Sequence, residues 1–221
     1  MALRLEEILP SPYSLDWSRL LVVFDVDSTL WDFGAAAEHA IGIDPTVFHR
    51  MYNFRENPHL SKQQISGLIR IFEDPHFFEK MIFYPGVSKI MRIEELGVKV
   101  AIDSNCMNSA VAEVKRKKLM QQLPGLDPEL IFLHDLNGGH DQPKILDPRT
   151  LILVEDSPYN VAQSTALLNI FKKVPWNQSA EARRIVQSKP VVSFDTIDEI
   201  YAYIYDGLKS WQEKYGFSPS Y

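Results

Sequence analysis

Two aspartates, Asp25 and Asp27, stand one residue apart directly after the apolar run LLVVF at residues 20–24. A short apolar run with little alternation is typical of a strand that is covered on both faces. Ionised carboxylates at the end of such a strand are costly to remove from water unless a cation or a hydrogen-bond partner compensates them. The pair therefore predicts a positively charged partner at the carboxyl end of the first strand.

Two more apolar runs, VKVAI at 98–102 and LILV at 151–154, also end in polar and acidic residues. If the strands are parallel, their carboxyl ends meet at one edge of the sheet, where ligands bind in open α/β sheets. A cluster of carboxylate oxygens favours Mg²⁺ over zinc. The predicted magnesium ligands are the four carboxylates Asp25, Asp27, Glu155 and Asp156.

These residue types suit transfer of a phosphoryl group. A carboxylate beside Mg²⁺ can attack phosphorus and form an aspartyl-phosphate. A second acid two residues further lies on the same side of the strand, so it can protonate the leaving oxygen and later activate water. The phosphoryl oxygens also need hydrogen-bond donors and a cation. The predicted phosphate-binding residues are Ser104, Asn105 and Lys144.

The composition limits the partners of the chain. Its 221 residues are 45% hydrophobic and 24% charged, which is ordinary for a globular protein with a real core. The net charge of −6 disfavours a nucleic-acid polymer or an anionic membrane as partner. The single cysteine, Cys106, cannot form an internal disulfide, and the first residues lack the apolar stretch of a secretory signal. We expect a cytoplasmic protein that binds a small-molecule phosphate ester, with homo-oligomer formation left open.

The pattern of apolar runs predicts an α/β fold with a parallel sheet and helices on both faces. Helices are expected at 86–96, 108–123 and 195–211, where apolar residues recur at helical spacing. The basic run KRKK at 115–118 is interpreted as a solvated face near the end of the second of these helices. Five strands are predicted, at 20–24, 98–102, 130–133, 151–154 and 169–174.

One stretch interrupts the alternation of strands and helices. Residues 34–82 contain no convincing strand, and we expect helices at 33–41, 45–54 and 61–72. Ser61 and Gln64 have the spacing of a capping box at the start of the third helix. We therefore predict a helical cap at 34–82 inserted into a core formed by 1–33 and 83–221.

In order along the chain, DVDSTL, IDSN, Lys144 and VEDSP resemble the four motifs of the haloacid dehalogenase superfamily. The resemblance implies a Rossmann-like core, with Asp25 as the nucleophile and Asp27 as the acid and base. It also implies that the backbone carbonyl of Asp27 is a further magnesium ligand, and that Glu155 lies beside the ligand Asp156. An aspartate at the second acid position indicates the phosphatase and phosphomutase branches.

Several branches of the superfamily remain open. FEDPHFFEKMIFYPGV and the WDF that follows the first motif resemble the 5′(3′)-deoxyribonucleotidases, which implies that Phe33 packs on a nucleobase. DSTLWDF is equally similar to magnesium-dependent phosphatases, and VEDSPYNV is similar to the phosphoglucomutase-like branch. We expect a phosphomonoesterase for nucleoside monophosphates. The alternatives are a phosphatase or phosphomutase for sugar phosphates and a catalytically silent binding module with the same fold.

Overall fold

A six-stranded parallel sheet forms the centre of the protein in a computed structural model, with the strand order β3-β2-β1-β4-β5-β6. The structure describes residues 3–11, 14, 16–42, 55, 58–135 and 147–216. All five predicted strands are present, and the predicted α/β class is confirmed. The strands are β1 (Leu21–Phe24), β2 (Lys99–Cys106), β3 (Ile131–Asp135), β4 (Thr150–Glu155), β5 (Leu168–Lys172) and β6 (Val191–Phe194).

The sixth strand was not predicted. β6 is four residues long, is only partly buried and pairs with β5 alone at the edge of the sheet. An edge strand lacks the cover on both faces that makes the other strands nearly continuous apolar runs. Its sequence, VVSF, is therefore a weak signal.

Helices flank the sheet and connect its strands. The described α-helices are α1 (Leu5–Ile8), α2 (Phe33–Ile41), α3 (Lys62–Glu73), α4 (Pro75–Glu79), α5 (Ser109–Gln122), α6 (Pro158–Gln163), α7 (Ala180–Ile185) and α8 (Ile197–Tyr215). The predicted helix at 86–96 is instead a 3₁₀ helix, Val87–Leu96, bounded by Gly86 and Gly97 at positive φ. Its buried face is as expected, because residues three apart align along a 3₁₀ helix.

Helices α2, α3 and α4 lie between β1 and β2 in the chain; α3 and α4 fall within the predicted cap segment 34–82, and α2 begins one residue before it. The capping box of α3 is confirmed: the Ser61 amide donates to Gln64 Oε1 at 2.9 Å, and the Gln64 amide donates to Ser61 Oγ at 3.2 Å. The predicted helix at 45–54 lies outside the described residues. The division into cap and core remains a prediction.

The ladder between β1 and β4 brings the first and last motifs together. Phe24 is level with Val154, and the Asp25 amide donates to the Val154 carbonyl at 2.9 Å. Asp25 and Glu155 directly follow this matched pair. They therefore lie side by side at the carboxyl ends of two adjacent, fully buried strands. None of the helices in the described part of the chain has the length and apolar character needed to cross a membrane.

Candidate active site

Three buried carboxylates converge where β1 and β4 end. Asp25, Glu155 and Asp156 each offer an oxygen, and these oxygens lie within 4.8 Å of one another. None of the three residues is more than 6% exposed. Two ligands on opposite sides of Mg²⁺ are about 4.2 Å apart, so this set is close to the size that the ion requires. The chemistry and spacing of these oxygens fit a hard divalent cation.

Glu155 also shapes the turn that follows β4. Its Oε1 accepts hydrogen bonds from the amides of Asp156 and Ser157, both at 3.1 Å. Ser157 then caps α6 through its side chain, which accepts from the Asn160 amide. One oxygen of Glu155 is therefore committed to the backbone, and this holds the neighbouring Asp156 at the strand end.

Asp156 is oriented by the 3₁₀ segment Pro175–Gln178 that follows β5. Trp176 Nε1 donates to Asp156 Oδ2 at 2.9 Å, and Asn177 Nδ2 donates to the Asp156 carbonyl at 3.0 Å. Asn177 also donates to the Lys172 carbonyl at 2.9 Å, which ties this segment to the end of β5. Sequence reasoning did not find Trp176 or Asn177. The only signal was their place, a few residues beyond a predicted strand.

The carboxylate of Asp27 is not part of the three-carboxylate group, which differs from the predicted cluster of four. Its Oδ1 accepts from Trp31 Nε1 at 2.8 Å, and its Oδ2 accepts from Lys115 Nζ at 2.5 Å. The side chain of Asp27 is thus directed by an indole and an ammonium, while Asp25, two residues earlier in the chain, faces Glu155 and Asp156. The carboxylate of Asp27 is thus directed away from the group of three carboxylates that could hold a metal ion.

Lys115 is the main residue that sequence reasoning missed. The interpretation of 115–118 as a solvated face is wrong for Lys115, which is fully buried. Its ammonium donates to Asp27, to Ser104 Oγ at 3.0 Å and to the Asn105 carbonyl at 3.0 Å. The signal was present in the sequence, because Lys115 lies four residues from both Val111 and Leu119 on the buried face of α5.

Neighbouring carboxylates keep Lys115 charged. Burial alone would lower the pKa of this ammonium, but Asp27 and, more weakly, Cys106 and Asp25 raise it, and the net direction is upward. The ammonium also lies 4.9 Å from the centre of the Phe78 ring in α4. The raised pKa favours the charged form of Lys115 beside Asp27 and Ser104.

The predicted phosphate-binding residues are brought together in part. Ser104 is fully buried on β2 and shares the Lys115 ammonium with Asp27. Asn105 contributes its backbone carbonyl to the same ammonium. Lys144 lies outside the described residues, so its role as a phosphate ligand stays a prediction.

Phe33 lies in an aromatic cluster. It is 4% exposed, and its ring stacks on Phe72 with centroids 4.5 Å apart and on Phe78 at 5.8 Å, while Phe77 meets it edge-on at 5.7 Å. These rings belong to α3 and α4 of the predicted cap. The proposed contact of Phe33 with a nucleobase remains a prediction, but in this conformation its ring is packed against other side chains.

Comparisons with known proteins support the fold and leave the finer assignment open. No protein-family model matches the chain, and no curated protein is similar to it. Solved structures do resemble it. A haloacid dehalogenase-like hydrolase from Streptococcus pneumoniae aligns with a TM-score of 0.54 and 16% identity, over 84% of this chain and 98% of that one.

Two further structures have the same architecture. A candidate beta-phosphoglucomutase from Bacteroides vulgatus has a TM-score of 0.51 and 14% identity, over 87% of this chain and 89% of that one. A hydrolase from Pseudomonas syringae has a TM-score of 0.51 and 14% identity, over 82% and 95%. At such identities the likeness defines the fold, and the chain has the α/β fold of haloacid dehalogenase-like hydrolases.

Replacement of Lys115 by methionine is expected to lower the free energy of unfolding by about 3 kcal/mol, because it breaks a buried ion pair and leaves Asp27 without its cation. Lys117→Met, on the exposed side of the same helix, should change it by less than about 0.5 kcal/mol. Urea titrations of both variants measure the difference. Equal stability of the two variants would contradict the pairing of Lys115 with Asp27.

Trp176→Phe is expected to weaken magnesium binding about 10- to 100-fold, because Asp156 loses the hydrogen bond that fixes its direction. The measurement is the rise in melting temperature as Mg²⁺ is added, since an ion that binds only the native state stabilises it. Trp17→Phe is the matched control, because the Trp17 indole donates to the Leu96 carbonyl before the start of β2. An unchanged magnesium response in Trp176→Phe would show that the indole does not orient a ligand.

Proposed function

We propose that the protein is a magnesium-dependent phosphatase that hydrolyses a small phosphate monoester through an aspartyl-phosphate at Asp25. The observation that carries the proposal is the group of three buried carboxylates, Asp25, Glu155 and Asp156, beside the Asp27–Lys115–Ser104 network. Buried like charges this close oppose folding unless a cation compensates them. The descriptions of the similar structures as hydrolases support the same class.

The residues of the chain divide the reaction between them. Asp25 attacks phosphorus, and Asp27, two residues further along, serves the leaving oxygen and then the attacking water. The Ser104 hydroxyl and the Lys115 ammonium, 3.0 Å apart, line the side of the site toward β2 and offer a hydrogen bond and a charge to the phosphoryl oxygens. Asp27 and Ser104 are held in fixed directions by the same ammonium, which reduces the rearrangement needed before reaction.

Asp25, Glu155 and Asp156 would hold Mg²⁺. When bound, the ion supplies positive charge that offsets the phosphoryl oxygens and brings an anionic substrate to an anionic nucleophile. Trp176 and Asn177 orient Asp156, and the amides after β4 orient Glu155. These hydrogen bonds to the carboxylates place the ligands precisely, as magnesium requires.

Within the class, we favour a sugar phosphate or a similar small phosphate ester over a nucleoside monophosphate. The aromatic residue assigned to a nucleobase, Phe33, is buried against Phe72 and Phe78 in the described structure. A base could stack on it only after those rings separate. The description of one similar structure as a candidate beta-phosphoglucomutase supports the same preference.

Replacement of Asp25 by asparagine is expected to reduce phosphate release at least about 100-fold, because an amide is a poor nucleophile and a weaker magnesium ligand. Wild-type activity should also vanish in EDTA and return with Mg²⁺. Asp206→Asn, on the exposed face of α8, is the control and should keep full activity. A folded wild-type protein that releases no phosphate from any monoester would favour the catalytically silent binding module.

The substrate preference is tested by comparing kcat/KM for hexose phosphates and nucleoside monophosphates under the same conditions. We expect higher values for the hexose phosphates, since the described structure offers no open stacking surface at Phe33. Phe33→Leu, which retains an apolar side chain, should affect both substrates equally. A nucleotide preference that is lost in Phe33→Leu would instead support the predicted nucleotidase function.

A further inference from the structure

A second lysine lies at the edge of the same site, on the side opposite Lys115. Lys172 is the last residue of β5, and Phe171 before it is level with Glu155 of β4. Lys172 is therefore level with Asp156, one of the three clustered carboxylates. In the strand order β2-β1-β4-β5, Lys115 approaches from the β2 side and Lys172 stands at the β5 side.

The Lys172 side chain is buried, and none of the described acids forms an ion pair with it. The residue is 7% exposed, and no carboxylate of the described residues lies within 4.0 Å of its ammonium. Nζ donates to the Lys173 carbonyl at 3.3 Å and lies 4.7 Å from the centre of the Tyr84 ring. An ammonium has three hydrogens to donate, so most of its hydrogen-bonding capacity is unused among the described residues.

The ammonium of the next residue, Lys173, differs from that of Lys172 because it has an acidic partner. Lys173 Nζ is paired with Asp195 Oδ2 at 2.8 Å at the surface. A charge buried without a counter-ion is costly, whereas an exposed pair is nearly neutral in energy. A buried ammonium beside an active site that keeps its hydrogens available is arranged to receive an anion.

Tyr84 is the aromatic residue whose ring contacts the Lys172 ammonium. Its amide donates to the Leu30 carbonyl at 2.8 Å, which fixes the residue against the loop that follows β1. Burial and, to a lesser extent, the nearby carboxylates of Asp32 and Asp156 raise the pKa of its phenol. The ring therefore stays neutral and presents its face to the ammonium, a contact that stabilises the cation without consuming its hydrogens.

The surroundings connect this position with the reaction site. Burial lowers the pKa of Lys172, while Asp32 and, more weakly, Asp195, Glu199 and Asp156 are close enough to oppose that shift. Tyr84 is also within electrostatic reach of Asp156. Lys172 and Tyr84 thus lie beside the clustered carboxylates rather than on a separate surface.

We propose that Lys172, supported by the ring of Tyr84, binds a second anionic group of the substrate, so that the substrate is a phosphate ester that also carries a carboxylate or another phosphate. The proposal rests on the proposed phosphatase function and narrows its substrate class. The phosphoryl group that is removed lies at Asp25, and the second anion lies toward β5. A monophosphate of an uncharged sugar, which has no second anionic group, would leave Lys172 without a counter-ion.

The test uses matched pairs of esters with and without the second charge. 3-Phosphoglycerate is compared with glycerol 3-phosphate, and fructose 1,6-bisphosphate with fructose 6-phosphate, each with the full-length protein and Mg²⁺. We expect kcat/KM about tenfold or more higher for the doubly anionic member of at least one pair, because a charge-assisted hydrogen bond is gained. The pair that responds distinguishes a carboxylate from a phosphate.

Variants assign the preference to the lysine. Lys172→Met should bring the ratio within that pair close to one, mainly through KM, and Lys172→Arg should retain part of it. Lys173→Met, which removes the paired neighbour, should leave the ratio unchanged. Thermal unfolding of each variant establishes that it is folded, and methionine should be tolerated because it replaces a buried charge with an apolar chain of similar length.

Two results would overturn the proposal. One is a wild-type protein with no preference in either pair. The other is a Lys172→Met variant that loses as much activity on p-nitrophenyl phosphate as on the doubly anionic esters, which would place Lys172 at the transferred phosphoryl group. If no ester is hydrolysed, the phosphatase function fails separately. Calorimetric titration of the same pairs then tests the second anion position by binding alone, and equal affinities within both pairs reject it.

Discussion

The concentration of negative charge at the ends of β1 and β4 is the constraint on which the site depends. Parallel pairing puts Asp25 and Glu155 at matched positions, and Asp156 follows at once. Burial in low dielectric makes their mutual repulsion strong. Among the described residues, backbone amides donate to Glu155 and the Trp176 indole donates to Asp156, and three carboxylate oxygens lie close enough to share a cation. The acids are therefore hydrogen-bonded to the turn before α6 and to the 3₁₀ segment after β5.

Lys115 links this chemistry to the predicted cap. One ammonium touches Asp27, Ser104 and the Phe78 ring, and thus joins β1, β2 and α4. Two other side chains, one in α5 and one at its N-terminus, donate hydrogen bonds to backbone carbonyls of α3 and α4. Lys118 Nζ donates to the Glu79 carbonyl at 2.8 Å, and Asn108 Nδ2 donates to the Glu73 carbonyl at 3.0 Å. These contacts fasten α4 to the core as a wall of the site, and Lys115 contacts both this wall and the Asp27 carboxylate.

The sequence predicted what depends on local pattern and could not predict what depends on distant contacts. Apolar runs identified the five covered strands, and strand ends identified Asp25, Ser104, Glu155 and Asp156, because parallel pairing brings such ends together. The direction in which Asp27 points is set by Trp31 and by Lys115, 88 residues away, so no local rule determines it. Phe33 was assigned to a substrate from its place after a motif, yet packing with α3 and α4 decides where its ring lies. Lys115 was misread because its charge was given more weight than its place on the apolar face of α5.

The proposed binding of an anionic ester is compatible with the net charge of −6. Overall charge governs long-range steering, whereas binding in a buried site depends on the few charges that face it. Here, one lysine stands on either side of the clustered acids in the order of the strands. Lys115 has carboxylate and hydroxyl partners and is part of the fixed framework. Lys172 has an aromatic face and a carbonyl, and keeps its charge available. A site with one committed and one available cation can hold the reacting phosphoryl group through the first and select the rest of the substrate through the second.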